Sequence, residues 1–506
     1  MNQSVVIVEY GYHLGGMSSG GLGATDIGNK AAIGGIAREF YHRVAQHYAE
    51  QDSWRFETCE HYFQSQSKSQ APAALKSPDA TMWTFEPHVA EQIFFQMVNE
   101  ANARVYFQQR LVSVNKSGAR IREIVMDTGR SFRARMFIDA SYEGDLMAKA
   151  GIAYTVGREA NAEYNETLNG ICGETPKHQF AVPVDPYAKP GERGSGLLPF
   201  IENGEPGSAG RADRSVQAYN FRLCYTQLAS NRLPHTAPPQ YEPAKFELLA
   251  RYLEALLAAG RKPKLDDFWH PVPMPNGKTD INNNGGFSTD FIGANYEYPD
   301  ANEAKRTKLW QEHADYIRGF IYFLATSPRV PESIRSEMQS WGPARDEFLD
   351  TGNWPYQLYI REARRMISGY VMTEHNCRGE TKADDPVGLA AYTMDSHNCR
   401  RIVRNGHVEN EGDVQVGGFP PYPISYRSIM PHAAECENLL VPICLSATHI
   451  AYGSIRMEPV FMILGQSAAT AASLALEAGT SVQKLPYEKL HARLLRDNQL
   501  LEWKTR

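Results

Sequence analysis

The sequence predicts an α/β protein built from short buried strands and amphipathic helices, and three observations carry this prediction. An apolar, β-branched run at Val5–Val8 ends at Glu9, which is typical of a strand covered on both faces in a parallel sheet. Between residues 105 and 138 the hydrophobic period changes to that of strands, which indicates a β-meander. Residues 151–350 are rich in Pro, Gly and Asn, which favours a separate α+β lobe with long surface loops.

Helices are predicted where apolar residues recur every three or four positions. The predicted helices lie at 33–48, from Pro87 to about 101, near 245–259, near 303–325, and from Pro459 to about 479. A first helical turn tolerates proline, so Pro87 marks a start rather than a break. Strands are predicted from apolar runs at 105–107, 111–114, 121–126, 132–138 and 438–442.

This order of elements predicts a domain that is split in sequence by an insertion. Residues 1–150 form its first part and residues 351–485 return to it. Residues 151–350 form the inserted substrate lobe, and residues 486–506 form a C-terminal tail. The loops of the inserted lobe are expected to cover a site on the split domain.

Bulk composition excludes several classes of protein. The net charge of −6 comes without a dense Lys/Arg block, so we expect neither nucleic acid nor an anionic membrane as a partner. The sequence contains no run of about 18 apolar residues, so we expect no membrane span. The seven cysteines are widely spaced and include no CxxC pair, which favours a reducing, cytoplasmic location over a disulfide framework. Nothing in the sequence indicates an oligomeric state.

Glu9 has the position of a nucleotide-binding acid. In a Rossmann-type domain, an acid at the end of the second strand binds the ribose hydroxyls about 20 residues after a GxGxxG turn that holds the pyrophosphate. Only eight residues precede Glu9, which leaves no room for the first strand and that turn. The pair Gly15-Gly16 follows the strand with the acid and cannot replace the turn.

Three blocks of sequence support the nucleotide interpretation together. They are the glycine-rich segment His13–Gly23, the stretch Ile138–Asp145, and the segment Ser446–Pro459 that runs into 465–469. In this order they resemble the Gly-Gly segment, the strand with an ATG-like end and the C-terminal flavin segment of FAD-dependent oxidoreductases. The resemblance implies a Rossmann-like FAD-binding domain, FAD as the cofactor and a redox reaction on a small-molecule substrate.

The resemblance also implies roles for individual residues. Glu9 would bind ribose, and Val112 would offer backbone contacts on the adenine side. Four consecutive residues would pass near the flavin or the pyrophosphate: Gly15, Gly16, Met17 and Ser18. The other residues implied in cofactor binding are Gly21, Ala140, Asp145, Arg456 and Met457. Glycine lets the backbone approach a flat ring closely, and the helix from Pro459 points its positive end toward Arg456.

The phosphate loop of the family is missing ahead of Glu9. A truncated start is the expectation that fits the otherwise undamaged motifs. The alternative is a member of the family that has lost strong FAD binding and serves as a flavin-free binding protein.

Flavin chemistry on an alcohol or amine carbon requires a proton acceptor beside the reacting carbon. A histidine suits this task because its pKa lies near neutrality. The candidates are His397, two residues after Asp395, and His449 beside the third block. The expected reaction is hydride transfer between the flavin and a small, polar or polyhydroxylated organic substrate.

A cluster of arginines offers a cationic anchor. Arg361 and Arg365 are predicted to share one face of a helix, where Arg361 would fix a carboxylate or steady a reduced anionic flavin. Surface ion pairs with Glu362 explain the same pattern equally well.

Two further segments leave alternatives open. The polar run Asp280–Asp290 is suited to a polyhydroxylated substrate, but such runs are more often capped turns. The repeated tripeptides His375-Asn376-Cys377 and His397-Asn398-Cys399 offer two His and two Cys, so a metal enzyme is a weaker rival interpretation.

Overall fold

The computed structural model describes residues 3–65, 75, 77–205 and 207–504. The helices in the described residues are α1 Gly16–Ser19, α2 Gly35–Ala49, α3 Cys59–Ser65, α4 Pro87–Glu100, α5 Asp145–Lys149, α6 Asn161–Tyr164, α7 Glu247–Ala258, α8 Glu303–Thr326, α9 Glu332–Ser340, α10 Glu374–Cys377, α11 His449–Ile455, α12 Glu458–Ala478 and α13 Tyr487–Arg496.

The strands in the same residues are β1 Val6–Val8, β2 Arg104–Tyr106, β3 Leu111–Ser117, β4 Arg120–Met126, β5 Ser131–Arg133, β6 Phe137–Ile138, β7 Tyr154–Thr155, β8 Leu223–Thr226, β9 Trp269–Met274, β10 Lys278–Asn283, β11 Gly342–Pro343, β12 Arg365–Met366, β13 Pro386–Ala390, β14 Met394–Ser396, β15 Arg400–Arg404, β16 His407–Glu411, β17 Val414–Val416, β18 Tyr422–Ser425 and β19 Leu439–Leu440. This mixture of helices and strands confirms the predicted α/β class.

Two short parallel pairs carry the N-terminal and C-terminal motifs. Strand β1 pairs with β2, and β6 pairs with β19. The prediction that β1 is covered on both faces is wrong, because Val5 and Val6 are 57% and 44% exposed. Within the described residues β1 has β2 as its one hydrogen-bonded neighbour, so its other edge is open.

The meander is present as the antiparallel sheet β3-β4-β5. The strand predicted at 132–138 is in fact two strands, β5 in the meander and β6 in a parallel pair. Asn438 explains the break, because its side chain donates hydrogen bonds to the carbonyl oxygens of Ile121 and Arg135, at 2.9 and 3.0 Å. These bonds occupy the backbone between the two strands and direct β6 toward β19.

The middle of the chain forms a four-stranded antiparallel sheet in the order β11-β8-β10-β9. Its apolar core packs helix residues such as Leu253 of α7, Phe320 of α8 and Ile334 of α9 with Ile281 of β10. Helices α7 and α8 lie where the three- and four-residue period predicted them.

Helix α12 lies at the centre of the C-terminal core. It begins at Glu458, one residue before Pro459, and ends at Ala478, close to the predicted bounds; Gly479 follows with a left-handed φ of 63° that suits a C-cap. By length and composition α12 could cross a membrane, but 67% of the relevant window is buried inside the protein. That burial is typical of a core helix. The N-terminus of α12 directly follows Arg456 and Met457.

Candidate active site

Strand β14 brings an acid and a histidine together. Asp395 and His397 are two residues apart, so extended backbone directs both side chains to the same side. Nδ1 of His397 lies 2.8 Å from Oδ2 of Asp290, and its Nε2 lies 3.6 Å from Oδ2 of Asp395. Burial and the nearby Arg361 favour the neutral ring, but the two carboxylates outweigh them and raise the pKa of His397. The histidine is therefore oriented and poised for proton transfer.

Two buried arginines flank this histidine. Arg361 Nη1 lies 3.0 Å from Oδ1 of Asp290, and Arg456 Nη2 lies 3.0 Å from Oδ2 of Asp395. Both guanidinium groups lie over the ring of Tyr359, at 4.7 and 5.7 Å from its centroid. We call Asp290, Arg361, Asp395, His397 and Arg456 the acid–base cluster.

The acid–base cluster holds its carboxylates in the ionised form. Burial opposes ionisation of Asp395, but His397, Arg456 and Arg361 lower its pKa to about 2. The pKa of Asp290 is also lowered, since Arg361 and His397 offset its burial. Both acids therefore remain anionic, so that Asp290 holds the His397 ring by a charge-assisted hydrogen bond and Asp395 lies at ion-pair distance from it.

The predicted helix at Arg361 is wrong. Residues 359–364 are irregular and extended, and Arg365 begins β12. The i, i+4 pattern failed because the arginine side chains are buried and paired with distant acids rather than with helical neighbours. The surface interpretation of Glu362 is wrong for the same reason, since Glu362 is fully buried.

His449 lies behind β14 in a chain of hydrogen bonds. Its Nδ1 is 2.8 Å from a carboxylate oxygen of Glu362, and its Nε2 is 3.0 Å from Oγ of Ser396. Both ring nitrogens are thus in use, and all three residues are buried. This arrangement suits a group that fixes the strand bearing Asp395 and His397, rather than one that meets a substrate.

The glycine-rich segment forms a second group of candidate residues. Gly15 and Gly16 adopt left-handed φ values of 105° and 55°, which glycine allows without strain. The backbone N–H of Met17 donates to Oη of Tyr142 at 2.9 Å, and that hydroxyl donates to Oε1 of Glu458 at 2.8 Å. Tyr142 therefore links the glycine segment to the N-terminus of α12.

The two groups adjoin each other. Tyr359 packs in one apolar cluster with Met17 and Leu22, while its hydroxyl accepts a hydrogen bond from Arg456 Nη1 at 3.0 Å. Arg456 and Met457 lead directly into Glu458, the first residue of α12. The acid–base cluster and the glycine segment thus belong to one continuous site.

Other residues predicted to bind cofactor lie outside this contact network. Glu9 follows β1 and is half-buried, with Oε1 accepting from the N–H of Gly11 at 2.7 Å. Val112 is exposed at a register shift in β3, and Ala140 is exposed just after β6. Gly21 has a φ of 128°, and a Cβ there would lie 2.1 Å from the carbonyl oxygen of Arg222.

Asp145 binds two arginines on its own side of the fold. Its carboxylate lies 2.6 Å from Arg306 and 2.7 Å from Arg364. These ion pairs outweigh its partial burial and lower its pKa. Asp145 thus contacts Arg364, which lies three residues after Arg361 in the sequence. Neither of its two ion pairs involves a residue of the acid–base cluster.

The polar run Asp280–Asp290 begins in strand β10 and is mostly buried. Asp280 forms a buried pair with Arg222 at 2.7 Å, and Asp290 belongs to the acid–base cluster. Of the loop that was predicted to surround a polyhydroxylated substrate, Asp290 is the residue that lies in the acid–base cluster.

The His/Cys metal interpretation does not hold in the described residues. His375 binds Glu380 and the carbonyl of Asn165, whereas His397 binds Asp290. The residues of the described chain that approach ligating distance of one another are Glu86, His88 and Glu347. The ammonium of Lys278 already lies 2.7 Å from both of these glutamates.

A buried acid–base site beside a glycine segment and a helix N-terminus is an arrangement suited to a redox cofactor. The family described as FAD dependent oxidoreductase matches residues 1–494, so the chain belongs to that family. This match confirms the resemblance found in the sequence, and with it FAD as the cofactor. No curated protein matches the chain.

Two solved structures show distant likeness. The tetracycline destructase Tet(51) is 15% identical with a TM-score of 0.18, and the match covers 32% of this chain and 41% of the destructase. The Diels-Alderase PyrE3 of the pyrroindomycin pathway is 13% identical with a TM-score of 0.21, and the match covers 66% of this chain and 68% of that protein. The chain thus spans less than half of the tetracycline destructase that it matches.

One observation at the glycine segment fits FAD. Gly15 and Gly16 let side chains pack closely on the segment, since a Cβ at Gly16 would lie 2.4 Å from Oη of Tyr142. The hydroxyl of Ser18 is buried beside them and has no hydrogen-bond partner among the described residues. A buried polar group normally has a partner, so Ser18 is suited to a polar atom of the cofactor.

Proposed function

We propose that the chain transfers a hydride between FAD and a small polar organic substrate, with His397 moving the proton. The observation that carries the proposal is the position of His397, held between Asp290 and Asp395 and joined through Arg456 to the segment at α12. When bound, FAD supplies the two-electron donor or acceptor.

His397 takes the proton from a substrate hydroxyl or amine as the neighbouring C–H bond gives up its hydride. Asp290 holds Nδ1 of the ring at 2.8 Å, which leaves Nε2, with its longer 3.6 Å contact to Asp395, as the nitrogen that exchanges the proton. The tautomer is fixed by the hydrogen bond on the other nitrogen, as in other acid–base histidines. In the reverse direction, the protonated ring returns that proton.

The proposed function also implies a division of the chain into domains. We infer that residues 1–150 and 351–485 form the FAD-binding domain and that residues 151–350 form the substrate lobe. Asp290 lies in the middle segment and contacts Arg361 and His397 of the later one. Such a shared site would form only when both segments fold together.

A test combines flavin spectra with anaerobic reduction. The FAD-loaded protein is mixed with a panel of alcohols, amines and hydroxy acids, and loss of the flavin absorption band is followed in stopped flow. His397→Gln should retain the flavin bands and lose about 100-fold or more in the rate of reduction. The exposed His270 offers a matched control, because His270→Gln should reduce at the rate of the unaltered protein.

The pH profile gives an independent criterion. Because the neutral ring is the acceptor, the rate of flavin reduction should fall as the pH drops through the raised pKa of His397. That limb should vanish in His397→Gln. An unchanged rate and profile in this variant would refute the assignment of His397, and failure of the protein to bind FAD would refute the proposal as a whole.

A further inference from the structure

Three buried side chains of the site have unused hydrogen-bond donors. Nε and Nη2 of Arg361, Nε of Arg456 and Nε2 of Gln217 are buried and have no hydrogen-bond partner among the described residues. Gln217 belongs to this neighbourhood because its Oε1 accepts from the backbone N–H of His397 at 3.2 Å. Unpaired buried donors cost free energy on the order of 1–3 kcal/mol each, so their presence in one neighbourhood requires an explanation.

Arg361 is the most unusual of the three. Its side chain is 1% exposed, and Nη1 alone is used, toward Asp290 and the carbonyl of Ala218. Nε and Nη2 form the side of the guanidinium that normally binds a carboxylate by two parallel bonds. Burial lowers the pKa of Arg361, and Asp290 only partly offsets that effect.

The local charge points to the same kind of ligand. Two arginines face two ionised aspartates in the acid–base cluster, so a protonated His397 leaves one excess positive charge. The nearby Asp413 offsets about half of that charge near neutrality, because burial and the neighbouring acids raise its pKa to about 7.

We propose that Arg361, assisted by Gln217, binds the carboxylate of an acidic organic substrate and so orients the hydroxyl or amine of that substrate toward His397. This inference rests on the proposed hydride transfer and names the substrate class for the same site. A carboxylate would pair both free nitrogens of Arg361, and it would also neutralise the excess charge of the protonated His397 state.

Carboxylate binding is tested with small probes on the protein loaded with FAD. Acetate, glycolate and succinate are titrated against the flavin spectrum and the melting temperature, with acetamide and ethylene glycol as neutral counterparts. The carboxylates should perturb the spectrum and raise the melting temperature in a saturable manner, whereas the neutral compounds should do neither.

Two variants remove donors without removing volume. Arg361→Lys keeps the charge but loses the two-nitrogen edge, and Gln217→Glu keeps the oxygen that His397 uses while replacing the unpaired donor. Each should weaken carboxylate binding about 10-fold or more. Arg133→Lys, at a residue that is 80% exposed in β5, is the matched control and should bind as the unaltered protein does.

The outcomes separate the sources of the effect. Equal binding of acetate and acetamide, or unchanged carboxylate binding in both variants, would overturn the inference. Loss of flavin retention in Gln217→Glu and Arg361→Lys, with no carboxylate effect, would assign these donors to the cofactor and also overturn it. Melting temperatures measured with carboxylates alone test the inference even if flavin reduction fails, so the two proposals fall separately.

Discussion

Glu458 gives a pH test of the junction between the glycine segment and α12. Its carboxyl is buried and receives one hydrogen bond, from Oη of Tyr142 at 2.8 Å. Burial raises the pKa of Glu458 from 4.5 to about 7, against the smaller opposing effect of Tyr142. The folded protein therefore binds this proton more tightly than the unfolded chain does.

The magnitude follows from linkage. A group with a raised pKa stabilises the fold fully below its unfolded pKa, and that contribution is lost as the pH rises through the folded pKa. The rise from 4.5 to about 7 corresponds to roughly 3 kcal/mol at 1.36 kcal/mol per pKa unit. The N-terminus of α12 favours the anion by up to about 2 kcal/mol, so the net loss lies between about 1 and 3 kcal/mol.

Glu458→Gln removes this titration while keeping the shape of the side chain. The free energy of unfolding is measured by urea titration with tryptophan fluorescence at about pH 5 and about pH 8.5. The stability of Glu458→Gln relative to the unaltered protein should rise by about 1–3 kcal/mol between these pH values. Glu477→Gln, at an exposed position of the same helix, is the control and should show no such change. If both variants follow the unaltered protein across the pH range, the reasoning is refuted.

Two buried ion pairs outside the acid–base cluster give further predictions. Arg222→Met should lower the free energy of unfolding by about 3–5 kcal/mol because it strands Asp280, and adding Asp280→Leu should restore most of that loss in urea titrations. Lys278→Met should cost a similar amount near neutral pH by stranding Glu347, whose pKa is lowered by Lys278 despite its burial. Since the unpaired carboxylate of the variant takes up a proton as the pH falls, the difference from the unaltered protein should shrink toward about pH 4, and a constant difference would contradict this account.

Elements with a strong local period were predictable from the sequence. Helices α2, α4, α7, α8 and α12 lie where the spacing of apolar residues placed them. The meander was equally predictable, because its strands are neighbours in the chain. The turn at Thr128-Gly129 lies directly between strands β4 and β5. Each of these signals depends on neighbours within a few residues.

The candidate site was only partly predictable, because its contacts join distant segments. His397, Arg361 and Arg456 were recognised as residue types with the right chemistry, but Asp290, the partner of His397 and Arg361, lies about 70 residues or more from both of them. Tyr359 gave no signal of its own. The helix predicted at Arg361 failed because burial, and not spacing, decides the conformation of that segment.

The buried charges of Lys278 and Arg361 differ in how completely they are paired, and this difference distinguishes a structural role from a functional one. Lys278 contacts three carboxylates at 2.7 to 2.9 Å, so its charge is fully paired and the cluster is complete within the chain. Arg361 is buried to the same degree, yet two of its three nitrogens are unpaired among the described residues. Buried ion pairs contribute little net stability over well-packed apolar groups, and an incompletely paired one contributes less. Arg361 as it stands is therefore poorly explained by folding stability, and the proposed carboxylate ligand would complete its hydrogen bonds.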